Sequence, residues 1–270
     1  MDLSKLGHSR VDSPPTICIY GPPGIGKTAF AIGAGKDSEY KVGRENHILM
    51  NLDFRGADRL ICTRMFDAPV ESIDTIKSGF KALFEQAHKF TWLVIDDLST
   101  AEELFVNEVC KEHNVDNLKK IEYGRGYELA RVKWYGFFEM IRQIQETKRL
   151  GVILIGHTKI DTQKDPMTES YSRHDLQLDK RSKEIIKKSV DLIGFAHKKV
   201  LTKQVDAAFG RRENVPVGES ERVLTLAPDR EGFDSKDRFN LPEEISLDWN
   251  AFEAELNKYF HATKSKKGEK

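Results

Sequence analysis

Gly21-Pro22-Pro23-Gly24-Ile25-Gly26-Lys27-Thr28 is a complete G-x-x-x-x-G-K-[ST] string. That spacing builds a loop whose backbone N–H groups wrap a polyphosphate. An apolar run, Thr16 to Tyr20, leads into it, and a helix-compatible stretch, Ala29-Phe30-Ala31-Ile32, leads away. A strand, a glycine turn and a helix start arrange N–H groups around a concavity suited to a triphosphate. Residues Gly21, Pro22, Pro23, Gly24, Ile25, Gly26, Lys27, Thr28 and Ala29 are the candidate contacts. Lys27 would meet the outer phosphates as a point charge, and Thr28 would offer its hydroxyl to Mg²⁺. The expected ligands are ATP and Mg²⁺.

A phosphate loop needs a metal partner. Trp92-Leu93-Val94-Ile95-Asp96-Asp97 is an apolar strand ending in acids. Asp96 is the first choice for the metal and Asp97 the second. Hydrolysis also needs a group that orients or deprotonates water. Asp53, at the carboxyl end of the next expected strand, is one candidate, and Asp97 another. Asp53 could equally be a turn residue or a helix cap. His157 follows the apolar run Val152–Ile155, so in a parallel sheet it exits on the rim of the phosphate loop. There it could touch the γ-phosphate or relay its presence into the loop that follows.

The elements that must position these residues alternate between apolar runs and amphipathic stretches, the pattern of a mostly parallel sheet covered by helices. Strands are expected at 16–20, 47–52, 91–95, 152–155 and 192–197. Helices are expected over 71–88, 126–148 (with Leu129, Val132, Ile141 and Ile144 as its apolar positions) and about 180–190. Residues 197–227 read as two extended segments around a polar turn, Gly210–Ser220, forming a hairpin that extends the sheet. Asp248 can cap a closing helix carrying Trp249, Phe252, Leu256 and Phe260. The expected organisation is an extension at 1–13, one α/β domain at 14–260, and a disordered lysine-rich tail at 261–270.

Composition agrees with one soluble domain: 270 residues, 39% hydrophobic and 32% charged. Lysine plus arginine and aspartate plus glutamate are both 43, so global charge does not steer the chain to nucleic acid. Cys18, Cys62 and Cys110 are too widely spaced for a zinc site or a disulfide framework. No apolar signal core and no 18-residue apolar run is present, so a cytoplasmic protein without a membrane partner is expected.

At these residues the chain resembles the RecA-like phage ATPases, a group that includes single-strand-annealing recombinases of the Sak type. The resemblance spans about residues 14–258. Besides the phosphate loop it rests on Val94–Thr100, Tyr123–Tyr127, Gly156–Lys159, Gly218–Leu224 and Phe233–Pro242. It implies a RecA-like P-loop fold with a C-terminal β-hairpin extension, and an ATPase acting on single-stranded DNA by annealing or pairing. It also implies self-assembly as a ring or filament, and a single-strand-binding protein as a further partner. The usual catalytic Glu is missing, because Arg55 stands two residues after Asp53; Asp53 or Asp58 would be its substitute. Lys236-Asp237-Arg238 is similar to the K-x-R element that relatives insert into a neighbour's site, so Lys236 and Arg238 are carried over as trans-acting residues. DNA contacts are expected in loops at 111–127 and 159–183, through Lys119, Lys120, Tyr123, Arg125, Lys164, Arg173, Lys180 and Arg181. Two other readings stay open: a nucleotide-gated DNA-binding scaffold with negligible turnover, and an AAA+ helicase loader or remodelling factor.

Overall fold

The computed structural model describes residues 13–34, 41–54, 58–163, 170–199, 202–207, 211–216, 221–227 and 232–268. Its strands are β1 (Thr16–Gly21), β2 (His47–Asn51), β3 (Thr63–Arg64), β4 (Trp92–Asp96), β5 (Gly151–Gln163), β6 (Tyr171–Leu176), β7 (Leu192–Lys199), β8 (Thr202–Ala207), β9 (Arg211–Pro216), β10 (Glu221–Thr225), β11 (Lys236–Asp237) and β12 (Glu244–Ser246). Its helices are α1 (Lys27–Ala31), α2 (Ile73–Glu85), α3 (Leu98–Glu112), α4 (Arg125–Lys148), α5 (Lys180–Ser189) and α6 (Trp249–Gly268). The main sheet runs β12-β10-β7-β1-β5-β4-β2-β3, with β11 added on β7 and β6 on β5. The pairs from β7 through β3 are parallel, and those of β10, β11 and β12 antiparallel. This is the α/β class expected, a mostly parallel sheet with helices on both faces and a C-terminal extension of antiparallel strands.

The central strands read as unbroken apolar runs because both sheet faces are covered. Alternate residues go to opposite sides. Cys18, Tyr20, Leu93, Ile95, Val152 and Leu154 pack beneath α2, α3, α4 and α5. Ile17, Ile19, Val94, Ile153 and Ile155 pack beneath α1 and α6. Side chains also set the helix starts. Ser72 accepts from the Thr75 N–H, Asp97 from Thr100, Asp179 from Arg181, and Asp248 from Ala251, each satisfying an N–H that the first turn leaves unpaired.

α6 closes the second face through Trp249, which is fully buried against Phe30, His47 and Trp92 at ring distances of 5.6, 4.8 and 5.1 Å. Trp249→Ala should destabilise the fold by about 3–5 kcal/mol, through lost transfer energy and the cavity left behind. Urea unfolding checks this; a change within error of zero would mean that α6 does not seal the sheet.

Several expectations are corrected. β5 does not end at Ile155. It continues through His157 to Gln163 and pairs antiparallel with β6, Thr158 opposite Leu176 through Gln163 opposite Tyr171. Beyond the covered sheet its residues are polar except Ile160, and it is the pairing with β6 that keeps them extended as a two-stranded ribbon. The second expected DNA loop is therefore mostly this ribbon and α5. The first is the end of α3, two 3₁₀ turns at Leu118–Lys120 and Glu122–Gly124, and the start of α4. The extension pairs β7 with β10, while β8 and β9, the latter inside the expected turn, pair only with each other among the described residues. α6 runs to Gly268, into the expected tail, because no proline or glycine interrupts residues 261–267. In α4 the buried face is Trp134, Phe137, Ile141 and Ile144, and Val132 is exposed.

Candidate functional site

The phosphate loop leaves β1 at the carboxyl rim of the parallel strands. Gly21 is required there by packing: a Cβ on it would lie 2.2 Å from the Ala196 carbonyl oxygen of β7. Gly26 has φ +110°, a region closed to ordinary side chains. The loop lines one side of a cleft of about 550 Å³ that also includes Lys41, Asp53, Arg59, Asp96 and His157. Chain-distant strands meet there because β1 lies between β7 and β5, and β4 lies beside β5.

Lys27 is 5% exposed, and its Nζ donates to the carbonyl oxygens of Gly21 at 2.9 Å and Pro22 at 3.1 Å. Burial lowers its pKa, while Asp96 and Asp97 pull it upward. Thr28 Oγ1 donates to Asp96 Oδ2 at 2.6 Å. Burial pushes the Asp96 carboxyl up to about 6, the Thr28 hydrogen bond opposing it and the charges of Asp97 and Asp53 adding to it. Among the described residues no three His, Cys, Asp or Glu side chains gather as a metal cage. One hydroxyl beside one carboxylate nevertheless fits Mg²⁺, which takes its other oxygens from phosphates and water.

The three candidate acids separate. The N–H groups of Leu52 and Asp53 both donate to the Asp96 carbonyl oxygen, at 2.6 and 2.9 Å, joining the ends of β2 and β4. This places Asp53 on the cleft wall. Asp58 instead pairs with Arg64 at 3.4 Å and is half-exposed outside it. Asp97 caps α3 through Oδ1 and holds His157 Nε2 through Oδ2 at 2.8 Å. Burial works against the Asp97 charge, but the hydrogen bonds from His157 and Thr100 hold its carboxyl below the usual range. Asp97 thus orients His157 and does not face water. His157 lines the cleft, and its Nδ1 has no partner among the described residues. Arg55 lies outside those residues.

Lys236 and Arg238 are not brought to this cleft within one chain. β11 pairs with the first residues of β7, Lys236 opposite Ile193 and Asp237 opposite Leu192. Leu192 is level with Ile17, at the end of the strands away from the loop. Lys236 Nζ donates to the carbonyl oxygens of Lys187 and Val190 at 2.7 and 2.5 Å, closing the end of α5. Within one chain Lys236, expected as a trans-acting residue, is thus a helix-end cap. Arg238 is more exposed and pairs with Asp191 at 3.0 Å.

The expected DNA residues divide as well. Tyr123 is fully exposed, at φ +55°, and Lys119 and Arg125 are exposed beside it. Lys120 pairs with Asp116. Arg181 lies 4.8 Å over the Tyr127 ring and 3.8 Å from Glu128, which brings the start of α5 against the start of α4. Lys180 is exposed beside it. Arg173 is corrected: it is mostly buried and pairs with Asp234 at 3.3 Å. Lys164 lies outside the described residues. Three basic residues near the loop escaped the sequence reading: Lys41, Arg59 and Arg222, the last touching the loop's outer side. Only long-range pairing places them, so no local pattern marks them.

Comparison with known proteins adds the family. No curated protein matches the chain. Among solved structures it is similar to the RadB recombinase, at 12% identity and TM-score 0.42, over 88% of this chain and 90% of that one. It is also similar to a KaiC-like protein from Pyrococcus horikoshii OT3, at 14% identity and TM-score 0.38, over 87% and 85%. The AAA domain family profile matches residues 13–239, and the chain, carrying a phosphate loop and a metal-strand acid within that span, belongs to this family.

Proposed function

We propose that the chain is an ATP-hydrolysing recombination protein of phage type that acts on single-stranded DNA, promoting annealing or pairing. The observation that carries this reading is the course of β5. One strand lines the phosphate cleft with His157 and then continues into the ribbon with β6, whose end leads along the chain into the start of α5 and its expected DNA contacts Lys180 and Arg181.

In this reading the loop N–H groups and Lys27 hold the triphosphate, with Lys27 exchanging two loop carbonyls for phosphate oxygens. Thr28 and Asp96 would hold Mg²⁺, which neutralises phosphate charge when bound. Asp53 orients the attacking water and accepts its proton. The bond between the γ-phosphorus and the bridging oxygen breaks, and ADP and phosphate leave. His157, fixed by Asp97, reports the γ-phosphate to the ribbon through the strand that both share. Tyr123, Arg125, Lys119 and Lys180 would meet the strand, tyrosine by stacking and the cations by phosphate contact. Arg238 is the residue available to a neighbouring copy. Against a remodelling factor, the chain after β7 is strand-rich with a single closing helix among the described residues.

Fluorescence anisotropy of a labelled oligothymidylate tests this. Binding should be tighter with ATP than with ADP, weaken steeply with salt, and weaken in Arg125→Ala and Lys180→Ala. ATP-dependent binding without turnover would favour the nucleotide-gated scaffold. No binding with either nucleotide would exclude the DNA reading.

A further inference from the structure

Arg222 belongs to the Gly218–Leu224 string, and nothing in the nucleotide chemistry above uses it. It stands on β10 opposite Lys198 of β7. β7 pairs with β1 only up to Phe195, opposite Tyr20. The Arg222 level of the ribbon therefore projects past the rim where the phosphate loop begins. The Leu247 N–H donates to the Arg222 carbonyl oxygen at 2.9 Å, fixing this backbone. From there Arg222 Nη1 donates to the Ile25 carbonyl oxygen at 3.3 Å, and it lies 3.3 Å from where a Cβ on Gly26 would be. Its side chain has no other hydrogen bond or ion pair among the described residues.

The direction of this contact matters. Gly24, Gly26, Lys27 and Thr28 line the cleft, whereas Ile25 is buried and Arg222 is not on the cleft wall. Arg222 thus touches the loop from outside. The Ile25–Gly26 peptide is trans, so its C=O and N–H point in opposite directions. A donor that fixes the carbonyl outward aims the Gly26 N–H inward.

We infer that Arg222 is a positioning residue for phosphate binding, holding the Ile25–Gly26 peptide so that the Gly26 N–H faces the bound polyphosphate. This rests on the nucleotide-binding reading of the cleft. In this role the β7–β10 extension braces the phosphate loop. Because the effect works through one peptide orientation, it concerns ATP and ADP alike, and salt screens it little. A guanidinium acting only as a distant charge would behave oppositely.

The test is titration of fluorescent ATP and ADP analogues into the full chain, as wild type, Arg222→Ala and Arg222→Lys. Arg222→Ala should bind both analogues about tenfold more weakly, as expected for loss of one charge-assisted hydrogen bond. The defect should persist in high salt, KM for ATP should rise with kcat kept, and the nucleotide-free melting temperature should stay unchanged. Arg222→Lys should recover part of the affinity. Unchanged affinity in Arg222→Ala overturns the inference, as does a defect that disappears in high salt. So does a loss that accompanies a lower melting temperature and that lysine does not restore. Failure of the wild type to bind either analogue would instead overturn the nucleotide reading, and this inference with it.

Discussion

Lys27→Ala should lower ATP turnover by roughly 10²–10³-fold, the cost of removing one charged donor from a site where phosphate charge must be stabilised. The chain has other cations near the cleft, Lys41 and Arg59, but neither lies within the loop itself. Only Lys27 rises from the start of α1 between the loop carbonyls and Asp96, whose charge acts on it. The variant should also release the Gly21 and Pro22 carbonyls, a modest loss of about 1 kcal/mol per hydrogen bond. Turnover and nucleotide titration together check this. Retained turnover in a folded Lys27→Ala protein would remove the loop from the chemistry.

Asp53→Asn should separate binding from hydrolysis. Turnover should fall by roughly 10²–10⁴-fold, the range for loss of a general base, while nucleotide affinity is kept or improved. Improvement is expected to the extent that the Asp53 charge adds to the repulsion that raises Asp96. Asp58→Asn is the control, because its carboxylate sits on Arg64 outside the cleft. Equal loss in both variants, or loss only in Asp58→Asn, would reassign the acid. Single-turnover measurements distinguish a slow chemical step from slow release.

The site and the sheet were open to sequence reading where their causes are local. The phosphate loop is eight contiguous residues whose glycines have backbone reasons. Apolar runs such as Thr16–Tyr20 and Trp92–Ile95 announce strands buried on two faces. What escaped depends on partners far along the chain. His157 to Gln163 reads as a loop because all but Ile160 are polar, and it is the pairing with β6 that makes the segment a ribbon. Asp97 looks like a metal ligand until His157, from another strand, takes its outer oxygen. Nothing in the Lys236-Asp237-Arg238 string shows that the end of α5 supplies two carbonyls to Lys236. Arg173 loses its exposure to Asp234 in the same way. Arg222 is separated from Ile25 by 197 positions, so no spacing rule could join them.

ATP turnover by the intact chain, measured with single-stranded DNA, with double-stranded DNA and without DNA, bears most directly on the coupling of this cleft to the β5 ribbon. Single strands should raise the rate well above the other two conditions, with sedimentation showing larger assemblies when ATP and single strands are both present. An equal low rate in all three conditions, with no DNA bound, would contradict it.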